Sequence, residues 1–362
     1  MNPFQYTTCT DIDSALAAMA SHRDAAHCQA RFVAGGTNLI DLMKERLAHP
    51  ATLIDINGLP LADIVPTDDG GLRLGALARN ADTADHPLVR THYPLLRAAI
   101  MAGASPQLRN MATNGGNLLQ RTRCYYFYDA NVPCNKHTPG SGCPATQGLA
   151  RQHAIFGASA HCIATHPSDM CVALAALDAM VHVRSVRGPR TIAFAEFHRL
   201  PGTQPELDTT LAPDELITHI QLPPAPRGFE AHSTYLKLRE RASYAFALVS
   251  VAAALDIGED GRVRAVRVAL GGVAHKPWRN VPAESLLVGQ PADKASFKVL
   301  ADAVMADARA AGGPGVPESS HGNSWKIPMA HRAIVRALEM AAAGIPSNTG
   351  EDGARCRGEQ PA

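Results

Sequence analysis

The sequence lacks a strong charge of either sign. It has 34 Lys and Arg residues against 33 Asp and Glu residues, so its formal net charge is +1, and charged residues make up 19 % of its 362 residues. Such a chain lacks the electrostatic footprint of proteins that bind nucleic acids or anionic membranes. We therefore expect neither partner.

The sequence also lacks an apolar run long enough to cross a bilayer, which takes about 20 residues. The longest candidate, residues 170–183, is interrupted by Asp178. The first residues, MNPFQYTTC, contain no basic stretch followed by an apolar one, and we find no secretory signal. We expect a cytoplasmic location, or a periplasmic one if the chain is exported with a signal-bearing partner.

No acid–base constellation is recognisable, and the sixteen histidines form no H-E-x-x-H or similar metal motif. We therefore name no catalytic residue. Tyr244 is the one candidate for a base above a cofactor, and it fits a core position equally well. With 46 % hydrophobic residues, the chain is long enough for two or three domains with substantial cores.

Two short motifs each place a glycine pair beside small polar residues. They are FVAGGTNL at residues 32–39 and ATNGGNLL at residues 112–119. Glycine lets backbone N–H groups converge on an anion, and a following helix adds favourable partial charge for a phosphate. Either motif alone is also consistent with an ordinary turn and helix cap. Together they indicate a dinucleotide site, because a pyrophosphate needs donors from more than one side.

Four cysteines fall in an irregular segment rich in proline and glycine, residues 121–165. Nine, eight and eighteen residues separate Cys124, Cys134, Cys143 and Cys162. Such long loops are usually functional, and four thiolates on one inorganic centre would hold this one in place. Iron–sulfur clusters and tetrahedral zinc both accept four cysteines, so the spacing leaves both open. Unpaired core cysteines are a third interpretation. Cys171 competes with Cys162, but its apolar surroundings favour a core helix.

The pattern of apolar residues changes at a proline-rich linker, residues 223–228. Alternating apolar patterns after the linker indicate an antiparallel sheet followed by alanine-rich helices. Predicted strands are residues 51–56, 71–76, 181–186, 190–195, 215–222, 233–239, 246–256 and 262–270, with a turn at Gly188-Pro189. Predicted helices are residues 11–26, 39–46, 86–102, 295–311 and 328–343. We expect the polar C-terminal residues to be disordered.

These features together resemble the FAD-binding medium subunit of the xanthine dehydrogenase and molybdenum hydroxylase family, especially the FAD subunits of bacterial periplasmic aldehyde oxidoreductases. The resemblance runs from Phe32 to about Leu338. The motifs that carry it are FVAGGTNLIDLMK, ASPQLRNMATNGGNLLQRTRCYYFYD, PCNKHTPGSGCPA, HCIATHPSDM, ERASYAFALVSVAAAL and GGVAHKPWR.

The resemblance implies an α+β fold with two domains. The first, residues 1–224, is a two-part FAD-binding domain of the vanillyl-alcohol oxidase (PCMH) type. Its parts are residues 1–60 and 61–224, with a [4Fe–4S]-binding insertion at about residues 121–165. Residues 229–345 form the C-terminal flavoprotein domain, with a small antiparallel sheet and helices, and residues 346–362 are a tail without a family pattern.

The resemblance also implies site residues. The two glycine loops hold the FAD pyrophosphate, Lys237 lies near the flavin ring, and Ile220 makes an apolar contact with the ring. Asp169 contacts the cofactor, although its place in the first turn of a helix is equally explained by the helix dipole. The expected FAD contacts are Arg31, Phe32, Val33, Ala34, Gly35, Gly36, Thr37, Asn38, Leu39, Thr113, Gly116, Asn117, Leu118, Asp169, Ile220 and Lys237. The expected [4Fe–4S] ligands are Cys124, Cys134, Cys143 and Cys162.

The implied function is electron transfer in a heterotrimer. A large subunit holds the molybdenum cofactor and oxidises an aldehyde, a small subunit holds [2Fe–2S] clusters, and this chain passes electrons through FAD to an external acceptor. Two other interpretations remain: a self-contained flavin oxidoreductase on the same fold, and a zinc-stapled nucleotide-binding protein without redox activity.

Overall fold

Three β-sheets and twelve α-helices organise the part of the chain that the computed structural model describes, which is residues 1–22, 30–311 and 322–344. The strands are β1 (Gln5–Thr8), β2 (Ala30–Val33), β3 (Thr52–Asp55), β4 (Ile64–Pro66), β5 (Leu72–Gly75), β6 (Met180–Ser185), β7 (Gly188–Ala193), β8 (Leu216–Leu222), β9 (Ser233–Leu238), β10 (Val249–Ile257), β11 (Val263–Gly271) and β12 (Trp278–Arg279). The predicted mixture of helices and sheets is confirmed.

The helices are mostly short. They are α1 (Ile12–Ser21), α2 (Leu39–Lys44), α3 (Asn80–Asp85), α4 (Pro87–His92), α5 (Pro94–Ala102), α6 (Pro106–Arg109), α7 (Asn114–Leu118), α8 (Asp169–Ala176), α9 (Phe194–Phe197), α10 (Val281–Glu284), α11 (Lys294–Met305) and α12 (Lys326–Ala342). The predicted helix at residues 86–102 is divided between α4 and α5, each of which has a proline in its first turn. Within the described ranges, every helix is too short or too polar to cross a bilayer.

The N-terminal sheet is parallel, with the order β1–β3–β2. Its central strand is buried by α1, which begins after an Asp11 cap that accepts a hydrogen bond from the Ser14 N–H group. The first glycine loop leaves this sheet at the carboxyl end of β2. Predicted helical residues 23–26, together with Cys28, Cys356 and the tail at residues 346–362, lie outside the described residues.

The second sheet is antiparallel and has the order β4–β5–β8–β6–β7. Apolar side chains from its strands join those of α5 and α8 in the largest core cluster. The predicted turn at Gly188-Pro189 is wrong: both residues pair within β7, and the connection falls at Val186 and Arg187 instead. Proline is tolerated there because β7 is an edge strand.

The third sheet, after the linker, is the predicted antiparallel one, with the order β12–β11–β10–β9. One face packs on α11 and α12 to form a second core cluster. Tyr235 and Ala252 instead belong to the core of the preceding part of the chain. The segments before and after the linker therefore share one hydrophobic core. The residues of the candidate site lie along this junction.

Candidate functional site

The two glycine loops are brought into direct contact. A Cβ atom added to Gly35 would lie 1.9 Å from the backbone oxygen of Met111, just before the second loop. That oxygen also accepts a hydrogen bond of 2.6 Å from Arg79. Gly36 has φ of 71°, a left-handed conformation that side chains disfavour. Glycine at both positions therefore lets the first loop lie against the second.

The second loop is held by buried polar residues. The Thr113 side chain caps α7 by accepting a hydrogen bond from the Gly116 N–H group at 3.2 Å. Asn114 is fully buried and bonds to Asn80, Thr83 and the Gly75 carbonyl group. These bonds fix the loop from below and leave its upper surface free to face a ligand.

A cavity of 820 Å³ opens above both loops. This volume is within the range of about 300–1,000 Å³ that is common for small-molecule and cofactor sites. Five arginines and three carboxylates line it, which suits an anionic ligand. The amide nitrogen of Asn38 has no hydrogen-bond partner among the described residues, and so a donor is available beside the first loop.

Most of the expected FAD contacts lie on the cavity wall. They are Arg31, Phe32, Val33, Ala34, Gly35, Gly36, Thr37, Asn38, Leu39, Thr113, Gly116, Asn117 and Asp169. Leu118 and Ile220 do not. Both are 0 % exposed in the core beneath, and Ile220 is paired with Leu74 and Val181 in the second sheet. The predicted contacts of these two side chains are corrected accordingly, because neither offers surface to the cavity.

Asp169 belongs to a buried triad of polar side chains. One carboxylate oxygen accepts a 2.7 Å hydrogen bond from the Tyr235 hydroxyl, and the other accepts one of 2.8 Å from the Lys237 ammonium group. Burial and the Asp169 charge raise the pKa of Tyr235 well above its usual value. Lys237 also donates to the Ala102 carbonyl group. It does not line the cavity but lies behind Asp169, which neutralises much of its charge.

Tyr244 is not a core residue. It is 57 % exposed, has φ of 51° and lies at the edge of the cavity, where its carbonyl group accepts hydrogen bonds from Arg241. None of the residues lining this cavity is a histidine. The arrangement therefore offers a cofactor a binding surface, and its buried carboxylate, Asp169, is already engaged by Tyr235 and Lys237.

The four cysteines of the insertion lie together. The Cys162 thiol donates to Cys143, which lowers the pKa of Cys143 to about 6 and raises that of Cys162. Cys124 interacts electrostatically with both Cys134 and Cys143, and burial raises its pKa to about 11. None of the described cysteines forms a disulfide. Four free thiols from separate turns thus supply soft ligands of the kind that iron–sulfur clusters and zinc accept.

Cys171 does not join this group. It is 0 % exposed in α8, and its sulfur lies with ring nitrogens of His166 and His198 in a cluster of atoms within 4.8 Å of one another. Burial lowers the pKa of His198 to about 4 and that of His166 well below its usual value. Sequence reasoning missed this trio because the two histidines are 32 residues apart in numbering. The preference for Cys162 over Cys171 as a ligand stays a prediction.

Two histidines contact the cysteine group. The Nε2 atom of His153 lies 3.1 Å from the Cys124 sulfur, and that of His275 lies 3.3 Å from the Cys162 sulfur. Burial lowers the pKa of His153 to about 4 and that of His275 to about 3, so both rings are neutral near pH 7. Neither histidine stood out in the sequence, although His275 lies in the GGVAHKPWR motif.

The cysteine group and the large cavity are neighbours. A second cavity of 30 Å³, roughly the space of one water molecule, is lined by Cys124 and His153 on one side and by Asp169 on another. The two cavities share the residues Arg123, Gln152, Pro167, Ser168, Asp169 and Phe246. A group bound by the cysteines would therefore be separated from a ligand in the large cavity by a thin layer of protein.

Comparisons with known proteins match both parts of the chain. A family model described as the FAD binding domain in molybdopterin dehydrogenase matches residues 2–225, and one described as the CO dehydrogenase flavoprotein C-terminal domain matches residues 234–317. The chain is 56 % identical over 259 residues to the aldehyde oxidoreductase FAD-binding subunit PaoB of Escherichia coli (strain K12), a match that covers 71 % of this chain and 79 % of that one. It is 28 % identical to the glyceraldehyde dehydrogenase medium chain of Sulfolobus acidocaldarius, with 86 % and 89 % covered.

A solved structure matches nearly the whole chain. A chain of the carbon monoxide dehydrogenase from Hydrogenophaga pseudoflava superposes with a TM-score of 0.71 at 25 % identity, covering 95 % of this chain and 98 % of that one. The predicted fold class, an FAD-binding domain followed by a flavoprotein C-terminal domain, is confirmed.

Proposed function

Because the chain belongs to the FAD-binding subunits of the molybdenum hydroxylases, we propose that it is the FAD- and [4Fe–4S]-binding electron-transfer subunit of a molybdenum-containing aldehyde oxidoreductase. In this proposal the chain receives electrons from partner subunits that hold the molybdenum cofactor and [2Fe–2S] clusters. It delivers them at FAD to an external acceptor. The observation that carries the proposal is the position of a four-cysteine group beside the cofactor cavity.

The residues of the large cavity fit FAD. The two glycine loops would hold the pyrophosphate from two sides, with the free amide of Asn38 as an additional donor. Asp169 would contact the cofactor while Tyr235 and Lys237 hold its carboxylate in place. Bound flavin supplies the redox chemistry, and the protein binds it, orients it and tunes its potential.

The cysteine group fits a [4Fe–4S] cluster with Cys124, Cys134, Cys143 and Cys162 as ligands. Zinc also accepts four thiolates, so the metal itself must be identified to distinguish the two. We favour iron because the group lies against a flavin site, where a redox centre has a use that a structural ion lacks. The aldehyde substrate class rests on the similarity to the Escherichia coli relative.

Iron and zinc should be counted per flavin in the purified complex, together with its visible spectrum. We expect about four iron atoms per FAD in addition to those of the small subunit's [2Fe–2S] clusters, and a broad shoulder near 400 nm, roughly where cysteine-ligated clusters absorb. Zinc in place of those four additional iron atoms would reject the cluster and leave the FAD assignment standing. A complex without flavin would reject the FAD assignment.

A matched pair of variants tests the ligand set. Cys162→Ser should lose the four iron atoms assigned to this chain, whereas Cys171→Ala should retain them, because Cys171 lies with His166 and His198 rather than with the other thiols. The reverse result would assign Cys171 as the ligand.

Assembly with partner subunits can be tested by co-purification. We expect the chain to copurify with a large and a small subunit and to show no aldehyde oxidation alone. Turnover of an aldehyde by the isolated chain would favour a self-contained flavin oxidoreductase instead. The exposed position of Tyr244 gives that alternative no buried base.

A further inference from the structure

Two imidazole rings reach two of the four proposed cluster ligands from different parts of the chain. His153 follows the insertion's third cysteine and contacts Cys124, whereas His275 follows β11 in the C-terminal domain and contacts Cys162. In both cases the Nε2 atom lies within 3.3 Å of the sulfur. The two contacts therefore fall on different ligands of one centre.

The chemistry of a bound cysteine fixes the direction of these hydrogen bonds. A thiolate that coordinates iron carries no proton, so only a ring N–H group can donate. The Nδ1 atom of each ring has no hydrogen-bond partner among the described residues. His153 is 2 % exposed and His275 is 8 % exposed, so water has little access to either ring. The sulfur is therefore the partner that satisfies each buried N–H group.

The backbone around both rings is held by a buried lysine. Lys326 is 0 % exposed, and its ammonium group donates to the carbonyl groups of His153 at 2.9 Å and Gly272 at 2.6 Å. It thereby ties the segment that carries His153 to the segment that carries His275. Asn323 adds bonds to the carbonyl groups of His153 and Ala154.

Backbone bonds join the same two segments further along. The Ile155 N–H group donates to the Val273 carbonyl group at 2.8 Å, and the His166 N–H group donates to the Ala274 carbonyl group at 2.9 Å. Both rings are thus presented by a rigid, cross-linked frame rather than by a loose loop.

We propose that His153 and His275 tune the [4Fe–4S] cluster by donating N–H···S hydrogen bonds to Cys124 and Cys162, and that Lys326 positions both rings. This inference rests on the proposed cluster. Adding one electron makes the cluster more negative, and hydrogen bonds to its sulfurs stabilise that form. The two rings therefore raise the reduction potential of the cluster.

The test is a redox titration of the complete complex, in which the EPR signal of the reduced [4Fe–4S] cluster is monitored. His153→Phe and His275→Phe remove the donors, and each should favour the oxidised cluster about tenfold, which is about 59 mV towards more negative potential for one electron. His153→Gln restores a donor and should recover part of the shift. His137→Phe is the matched control, because His137 lies in the same insertion but bonds to the Phe127 carbonyl group.

A second measurement needs no variant. In protein labelled with ¹⁵N-histidine, pulsed EPR of the reduced cluster should detect coupling to ring nitrogen. Absence of that coupling, or unchanged potentials in both Phe variants with full iron content, would overturn the inference while the proposed function stands. A wild-type complex whose iron is fully accounted for by the partner's [2Fe–2S] clusters would instead overturn the proposed cluster itself.

Discussion

Replacing Gly35 by alanine tests whether contact between the two glycine loops creates the FAD site. The added Cβ atom would lie 1.9 Å from the Met111 carbonyl oxygen, whereas real Cβ contacts are essentially never shorter than 3.0 Å. The obstacle is backbone, so no side-chain rotation relieves it, and the loops must move apart by about 1 Å. Overpacking of this kind typically costs about 1–3 kcal/mol.

If the bound state bears that full cost, the Kd for FAD rises about 5- to 150-fold, since about 1.4 kcal/mol corresponds to a factor of ten. The assay is a titration of flavin-free protein with FAD, supported by the flavin-to-protein absorbance ratio of the purified complex. Gly70→Ala is the control. Gly70, unlike Gly35, has positive φ, so alanine there strains the backbone, but an added Cβ would meet no atom within 4 Å and the residue does not line the cavity. A Gly35→Ala variant that binds FAD with unchanged Kd would refute the reasoning.

Two further predictions concern carboxylates held in ion pairs. Lys237→Met leaves the Asp169 carboxylate without its counterion, so it should lower the free energy of unfolding by about 3–5 kcal/mol and lower the flavin potential. The double variant with Asp169→Asn should recover part of both losses. Denaturation measures the first effect and redox titration the second. An unchanged flavin potential would remove the role of Lys237. The second prediction concerns Asp208. The charges of Arg121 and Lys136 outweigh the effect of burial and lower the pKa of the Asp208 carboxyl group to about 2. The stabilisation that its ion pairs give the folded state is therefore present above about pH 4 and is lost as the pH falls through about 2. Asp208→Asn should therefore lower the free energy of unfolding by about 1–2 kcal/mol at pH 6 and by little near pH 2. The figure is discounted because the carboxylate keeps some exposure to water. A loss of stability that is the same at both pH values would contradict this origin.

Elements with a strong local signal were predictable from the sequence. The strands β9, β10 and β11 show alternating or continuous apolar patterns, and the structure places them within a few residues of the predicted bounds. The strand β1 was missed, because all four of its residues are exposed and carry no alternation. It forms because β3 offers a parallel edge, which is a tertiary cause that local pattern does not report.

The residues of the candidate site likewise include some that the sequence predicts and some that it does not. Glycine pairs and clustered cysteines are visible in the sequence because their chemistry is unusual, and the structure brings each set together. The partners of Asp169 were not visible, since Tyr235 and Lys237 lie more than 60 residues away in the sequence and reach it from β9. The resemblance placed Lys237 near the flavin ring, whereas its ion pair with Asp169 shows that the two charges must be considered together.

The cysteine insertion shows how far composition alone can mislead. Its lack of regular structure suggested that an inorganic centre must hold it. The structure shows additional anchors: Lys136 bonds to Asp208 and to the Pro205 carbonyl group, and Arg123 bonds to Asp41 on α2. These bonds also tie the insertion to the FAD domain, so the cysteines are not its only anchors. A redox role for the cysteines beside the flavin stays a prediction, which the metal count tests.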